Sequence, residues 1–347
     1  MKKLLSRRRA NKNEAPTRIT NETVAEHRER ILAGGRRFKY PMQYARHKLV
    51  FNTIIVAVAA VILLVLVGWW QLYSVQNTSN FMYRVTRVFP LPVAQVDGEQ
   101  VRYSSYLMSY KASVHYLQQS EQLDLGSENG KRQVAFNKRE SMDNAVADAY
   151  AGKLARELTI GVTNKEIDQV IDEDRNTANG RISQETYDTS ALNILGWGPD
   201  EYRDDAKSKL IRQKVSYSID TTANDRQQKA SQLLQQGMDF DKVATELGGE
   251  GDQKAAVGAS GLVPLNNRDG GLSKAAVGLE VGKVSPAIKT AIGDGYYFVK
   301  LLERTDKQIS YVYLRIPLTV FEEKLAALKK DGKVKEYIAL PKVDTQN

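Results

Sequence analysis

The feature that most constrains this chain is one unbroken apolar run, Leu49 to Gly68, LVFNTIIVAVAAVILLVLVG. It contains no charge, and Asn52 near one end is its clear polar exception. As a helix rising about 1.5 Å per residue, it spans a hydrocarbon core of about 30 Å. A core helix of a soluble protein would show a charged or polar face, and this run shows none. Trp69, Trp70 and Tyr73 follow at once, as an interfacial aromatic belt does; Arg46, His47 and Lys48 flank the other end. The run is longer than a signal-peptide core, and no small-x-small cleavage site follows it. The expectation is an uncleaved signal anchor over residues 49–70, contacting the lipid bilayer. The basic side places a tail of residues 1–48 in the cytoplasm and the rest of the chain outside it, in a single pass through the cell membrane.

The charge distribution agrees. Residues 1–48 hold 14 of the 50 Lys+Arg and 4 of the 41 Asp+Glu, so the remainder carries 36 basic and 37 acidic residues. The net charge of +9 therefore belongs to the tail, and no nucleic-acid partner is expected of the near-neutral body. Within the tail, Gly34-Gly35 is expected to stop a helix. There is no cysteine, which excludes a disulfide framework, zinc–cysteine sites and a thiol nucleophile. The three histidines are His27, His47 and His115.

Residues 71–92 are expected to be a tether ending at Pro90 and Pro92. VAQVDGEQV, from Val93, predicts a strand and a turn at Gly98, then a helix capped by Ser104 or Ser105. Residues 121–138 are polar and are expected to be a loop. A helix is predicted from Glu140. A further one is capped by the Thr163–Glu166 box, and another starts after Gly198-Pro199 with Tyr202, Ala206, Leu210 and Ile211 on one face. From Val215 the pattern becomes mixed. VSYSID predicts a strand, and the next helices form a pair broken at Gly237. GGEGDQKAAVGASGLVPLNNRDGG reads as a flexible loop and lacks the Gly-Lys-Ser/Thr ending of a phosphate loop. LSKAAVGLEVG predicts a short helix, GYYFVKLLE a buried strand, Ile309–Ile316 a strand and Phe321–Leu328 an amphipathic helix.

The ordered set VAQVDGEQV, TIGVTNKEIDQVI and GWGPDEYRDDAKSKL, over residues 93–214, resembles the N-terminal chaperone domain of the SurA, PrsA and PpiD group of exported foldases. Over residues 215–305, KASQLLQQGMDFDKVATEL, GASGLV, AAVGLEVGKVSPAIKT and GYYFVKLLE resemble, in that order, a parvulin-type peptidyl-prolyl isomerase domain. Together they imply an α+β protein: one transmembrane helix, a mostly helical chaperone lobe and a parvulin-like α/β lobe. For residues 306–347 two placements stay open: a return to complete the chaperone lobe, or an extra strand on the parvulin-like sheet.

The parvulin-like stretch departs from its family. The loop GGDLG becomes GASGLV, and Asp294 and Gly295 are inserted before the last strand. Parvulins carry one histidine on the first strand and one on the last; here the resemblance puts Tyr217 and Tyr297 at those places. It also puts Asp252 near an acidic or thiol position facing the imide, and Thr290 before the last strand. Leu262, Leu272, Tyr296 and Tyr297 would then line a proline pocket. Plainer readings stand beside these: Asp252 as a solvated loop carboxylate, Thr290 as a turn cap, the leucines as core. Rotation about an X-Pro bond faces a barrier near about 20 kcal/mol. A catalyst lowers it by favouring the twisted imide through desolvation and aimed hydrogen bonds. Tyrosine donates and accepts hydrogen bonds but lacks a near-neutral pKa.

Three functions follow. The first is an anchored extracytoplasmic chaperone that holds unfolded or extended polypeptides, with weak or absent isomerase activity. The second is an isomerase that works with tyrosines. The third is a scaffold for a fixed envelope partner. None of these needs a metal or cofactor.

Overall fold

The computed structural model describes residues 20–177, 180–290 and 293–341. The first 19 residues of the basic tail lie outside them. The chain divides into two units, Met1–Leu72 and Tyr73–Asn347. The first is built on α1 (Asn21–Tyr73), which runs through Gly34-Gly35 without the expected stop. Two mid-helix glycines cost only about 1 kcal/mol each relative to alanine, and propagation needs no new nucleus. Its segment His47–Tyr73 is long and apolar enough to cross a membrane, with mean hydropathy 3.0 over its most apolar window.

The second unit opens with α2 (Asn80–Val88) and a hairpin of β1 (Pro92–Val96) and β2 (Glu99–Arg102). Asp97 and Gly98 both have positive φ, 46° and 85°, as a two-residue hairpin turn requires. Strand β2 was not expected, and it moves the start of α3 (Tyr103–Gln119) ahead of Ser104. Helix α4 (Glu128–Glu157) reaches into the supposed loop, because Ser127 caps it by accepting the Gly130 N–H at 3.0 Å. Helix α5 (Asn164–Asp174) has the expected Thr163–Glu166 box. A two-stranded turn of β3 (Asn176–Thr177) and β4 (Gly180–Arg181) leads to α6 (Gln184–Leu195) and α7 (Pro199–Ile219). Val93, Val96, Leu107, Met142 and Val146 are fully buried in this helical lobe.

Residues 215–219 are not a strand. They form the last turn of α7, with Val215 and Tyr217 buried. Helix propagation outweighs the strand preference of Val and Tyr, and Tyr217 enters a different core from the one that holds Tyr202, Ala206 and Leu210. Asp220 then caps α8 (Thr221–Gln235), accepting the Ala223 N–H at 2.8 Å.

Next come α9 (Phe240–Leu247), β5 (Ala256–Pro264), α10 (Leu272–Val277), β6 (Ile288–Lys289), β7 (Gly295–Arg304) and β8 (Gln308–Pro317). Part of the supposed glycine-rich loop is thus strand β5. The four strands form an antiparallel sheet in the order β5-β8-β7-β6. The central position beside β7 belongs to β8. One face packs Phe298, Leu314 and Ile316 against Phe240 and Val243 of α9. The other packs Val299, Leu301, Ile309 and Tyr311 against Leu272 and Ala276 of α10.

After β8 the chain crosses back. Asp220 Oδ2 accepts the N–H groups of Thr319 and Val320 at 2.9 and 3.3 Å. Helix α11 (Val320–Lys330) lays Phe321 on the Tyr150 ring, centroids 5.6 Å apart. Strand β9 (Val334–Glu336) then pairs antiparallel with β1. Glu336 is ion-paired with Arg139, and Lys329 with Asp143 at 2.8 Å. Residues 308–336 thus supply β8 to the four-stranded sheet and β9 to the hairpin of the helical lobe.

Phe321 is the most buried side chain of α11 together with Leu325. Phe321→Ala is expected to destabilise this return by about 3 kcal/mol, from lost transfer energy and a cavity. Hydrogen exchange should show α11 and β9 amides losing protection. Unchanged protection would contradict the packing.

Candidate functional site

Side chains alternate across a strand, so Tyr296 and Tyr297 on β7 point to opposite faces. Tyr296 joins the cluster under α8 and α9 and donates to Asn224 Oδ1. Tyr297 joins the cluster under α10, which also contains Leu272. Tyr217 packs edge-on against Tyr296, with centroids 5.0 Å apart. The two tyrosines expected at the histidine places thus sit in different cores, because Tyr217 arrives on a helix and not on the first strand.

A hydrogen-bond chain nevertheless links them. The Tyr217 hydroxyl donates to the carbonyl of Gly295 and accepts the Thr290 N–H at 3.0 Å. Thr290 Oγ1 donates to Asp294 Oδ1 at 2.8 Å. Tyr297 donates to Asp294 Oδ2 at 2.7 Å, and Arg315 on β8 pairs with the same carboxylate at 3.3 Å. Asp294 is the hub of this network. Thr290 is 1% exposed, and its carbonyl also accepts the Gly293 N–H of the following turn at 3.1 Å.

Sequence reasoning missed Tyr313. It lies on β8 opposite Val299, on the same face as Tyr297, with the two ring centroids 5.7 Å apart. Its ring covers Gly258 of the paired strand β5, where a Cβ would overlap it. Among the described residues its hydroxyl makes no hydrogen bond. The alternation Tyr311, Tyr313, Arg315 in SYVYLRI was the available signal, but it stood outside the span that resembled a domain.

Two expected residues do not join the group. Asp252 is exposed in a short turn, Gly251–Gln253, and bonds to none of the tyrosines. Leu262 is 57% exposed and pairs with Ser310, on the face opposite Val263, Ile309 and Leu272. Of the supposed proline pocket, Leu272 and Tyr297 share one face, and Leu262 and Tyr296 are not on it.

A second candidate lies in the helical lobe. A cavity of about 890 Å³ opens among α2, α3, α4 and α7, lined in part by Tyr83, Met108, Tyr116, Asn137, Asn144 and Trp197. Its rim holds paired charges: Lys209 with Asp205 at 2.8 Å and Arg212 with Asp148 at 3.3 Å. Burial raises the Asp148 pKa, and the Arg212 charge opposes that shift. The lining thus mixes apolar, amide, aromatic and charged groups.

Burial pushes the Tyr217 phenol up to about 12, the hydrogen bonds from Thr290 acting against that shift. It also raises Tyr297, helped by the hydrogen bond to Asp294. Both folded values exceed the unfolded value near 10. Stability from these groups is therefore full below about pH 10 and is lost as pH rises through the folded values. Denaturant titration at rising alkaline pH should show this loss, and Tyr297→Phe should show a shallower one. Equal slopes would contradict the network.

A profile of the SurA-like N-terminal domain matches residues 42–216. No curated protein and no solved structure matches the chain. The matched span begins ahead of the apolar segment, takes in the hairpin and the cavity helices, and closes in the last turn of α7, and by it the chain belongs to the SurA-like chaperone family.

Proposed function

We propose that this chain is a membrane-anchored chaperone for exported polypeptides. Its tail is cytoplasmic and residues 74–347 are outside. The single observation that carries this reading is the SurA-like domain enclosing a cavity of about 890 Å³. Extended chains offer backbone donors and acceptors with apolar side chains between, which Asn137, Asn144, Met108 and Tyr116 complement. The segment His47–Tyr73 serves as the anchor, oriented by the basic residues before it.

The sheet lobe is read as parvulin-like, with β8 in place of the first strand and Tyr313 and Tyr297 at the histidine positions. Its isomerase activity is low or absent. A twisted imide needs donors that are free to follow it. The Tyr297 hydroxyl already donates to Asp294, and that of Tyr217 to Gly295. The isomerase reading draws on one observation: the Tyr313 hydroxyl, beside Tyr297, is uncommitted among the described residues.

The full chain in detergent should suppress aggregation of several unrelated unfolded proteins. Met108→Glu, which charges the cavity wall, should weaken that suppression several-fold while leaving the fold intact. A protease-coupled prolyl-peptide assay should run at the uncatalysed rate. Suppression of none of the proteins would point to a scaffold. Fast turnover abolished by Tyr313→Phe or Tyr297→Phe would establish the enzyme instead.

A further inference from the structure

Helix α2 is amphipathic the wrong way round. Its polar side faces the protein. Tyr83 donates to Glu201 Oε1 at 3.2 Å, Arg87 pairs with Glu201 at 2.8 Å and Asp204 at 3.2 Å, and Thr86 is 1% exposed. Ser79 caps the helix, and Lys111 binds Asn80 and the Thr78 carbonyl at its start. The apolar side faces outward: Phe81 is 68% exposed and Val88 72%, and Phe89 beyond the helix end is 61% exposed. Phe81, Arg84 and Val88 are spaced by three, four and seven residues, so they share one stripe. Arg84 makes no ion pair among the described residues. An outward apolar stripe on a helix whose polar groups are held inward by ion pairs marks an interaction surface.

We propose that this face of α2, with Phe89, docks on the surface of the lipid bilayer. The inference rests on the anchor reading above. Three observations favour lipid as the occupant. First, chain reach: α2 starts at Asn80, seven steps after the apolar segment ends at Tyr73, and seven residues span at most about 25 Å. Second, Tyr73 is itself fastened to the helical lobe. Its hydroxyl donates to the Pro92 carbonyl at 2.6 Å, and its ring meets Tyr103 edge-on at 5.9 Å. Third, charge: the apolar stripe carries Arg84, which suits anionic headgroups, as in helices that lie in the interface plane. Docking would fix the lobe against the membrane.

The chain has no cysteine, so single labels are placed cleanly. The full chain is reconstituted in phosphatidylcholine vesicles with and without phosphatidylglycerol. An environment-sensitive fluorophore is attached to Val88→Cys, to Leu262→Cys as the exposed control on β5, or to Val61→Cys as the control in the apolar segment. A quencher is carried on the upper acyl chain of the lipid. The expected result is strong quenching at positions 61 and 88 and several-fold less at 262. Adding phosphatidylglycerol should deepen the effect at 88, and Arg84→Glu should reverse that gain. Quenching at 61 but not at 88 would overturn docking and leave the anchor reading standing. No quenching at 61 would overturn both. A label at 88 shielded from an aqueous quencher yet untouched by the lipid quencher would mean that a second copy or a client covers the face, which also overturns the proposal.

Discussion

Strand β8 has a partner on each side. From Gln308 to Pro317 it bonds to β5 along one edge and to β7 along the other, with register shifts near Ser260 and Leu302. Neither β5 nor β7 has another long neighbour: β7 continues only to the two-residue β6, and β5 is the sheet edge. An unpaired strand interior leaves buried N–H and C=O groups without partners, each costing on the order of 1–3 kcal/mol. The sheet lobe is therefore incomplete until residues beyond 305 are in place. The same segment goes on to supply β9 to the edge of β1. One late stretch of chain closes both lobes, and Asp220 clamps the crossover by accepting two backbone N–H groups from it.

This closure shapes the sheet site. Because β8 and not the end of α7 lies beside β7, the neighbour of Tyr297 is Tyr313. Tyr217 is freed for a different duty. It ties the end of α7 to Gly295 and Thr290, and so fastens the helical lobe to the start of β7. Asp294 gathers Thr290, Tyr297 and Arg315 around one carboxylate. Hydroxyls engaged in this way stiffen the strand ends and are poor donors to a moving imide.

Much of the helical lobe was legible from local chemistry. The Thr163–Glu166 box, the Gly198-Pro199 start of α7 and the break at Gly237 all act within one turn of chain, so local reading captures them. The apolar run was legible because length and charge alone decide what it can do. What local reading missed depended on distant partners. VSYSID has the composition of a strand, yet α7 runs on through it as helix and packs Tyr217 against Tyr296. GASGLVP reads as a loop because glycine and serine dominate it, yet Gly258 is small so that the Tyr313 ring can lie across it. Tyr313 itself lay in a segment that resembled no domain, so nothing in the local pattern tied it to Tyr297. Asp294, which the sequence marks only as part of a turn before the last strand, is the centre of the network because its partners Tyr297 and Arg315 come from two strands.

The central claim is that the segment after residue 305 is a structural member of both lobes. Hydrogen exchange on the full chain and on a chain ending at 305 tests it most directly. The Asp97 amide, which donates to the Lys333 carbonyl at 3.0 Å, reports on the helical lobe, and the β7 amides report on the sheet. The account predicts that both lose protection together in the shortened chain. Protection retained at β7 without β8 would contradict it.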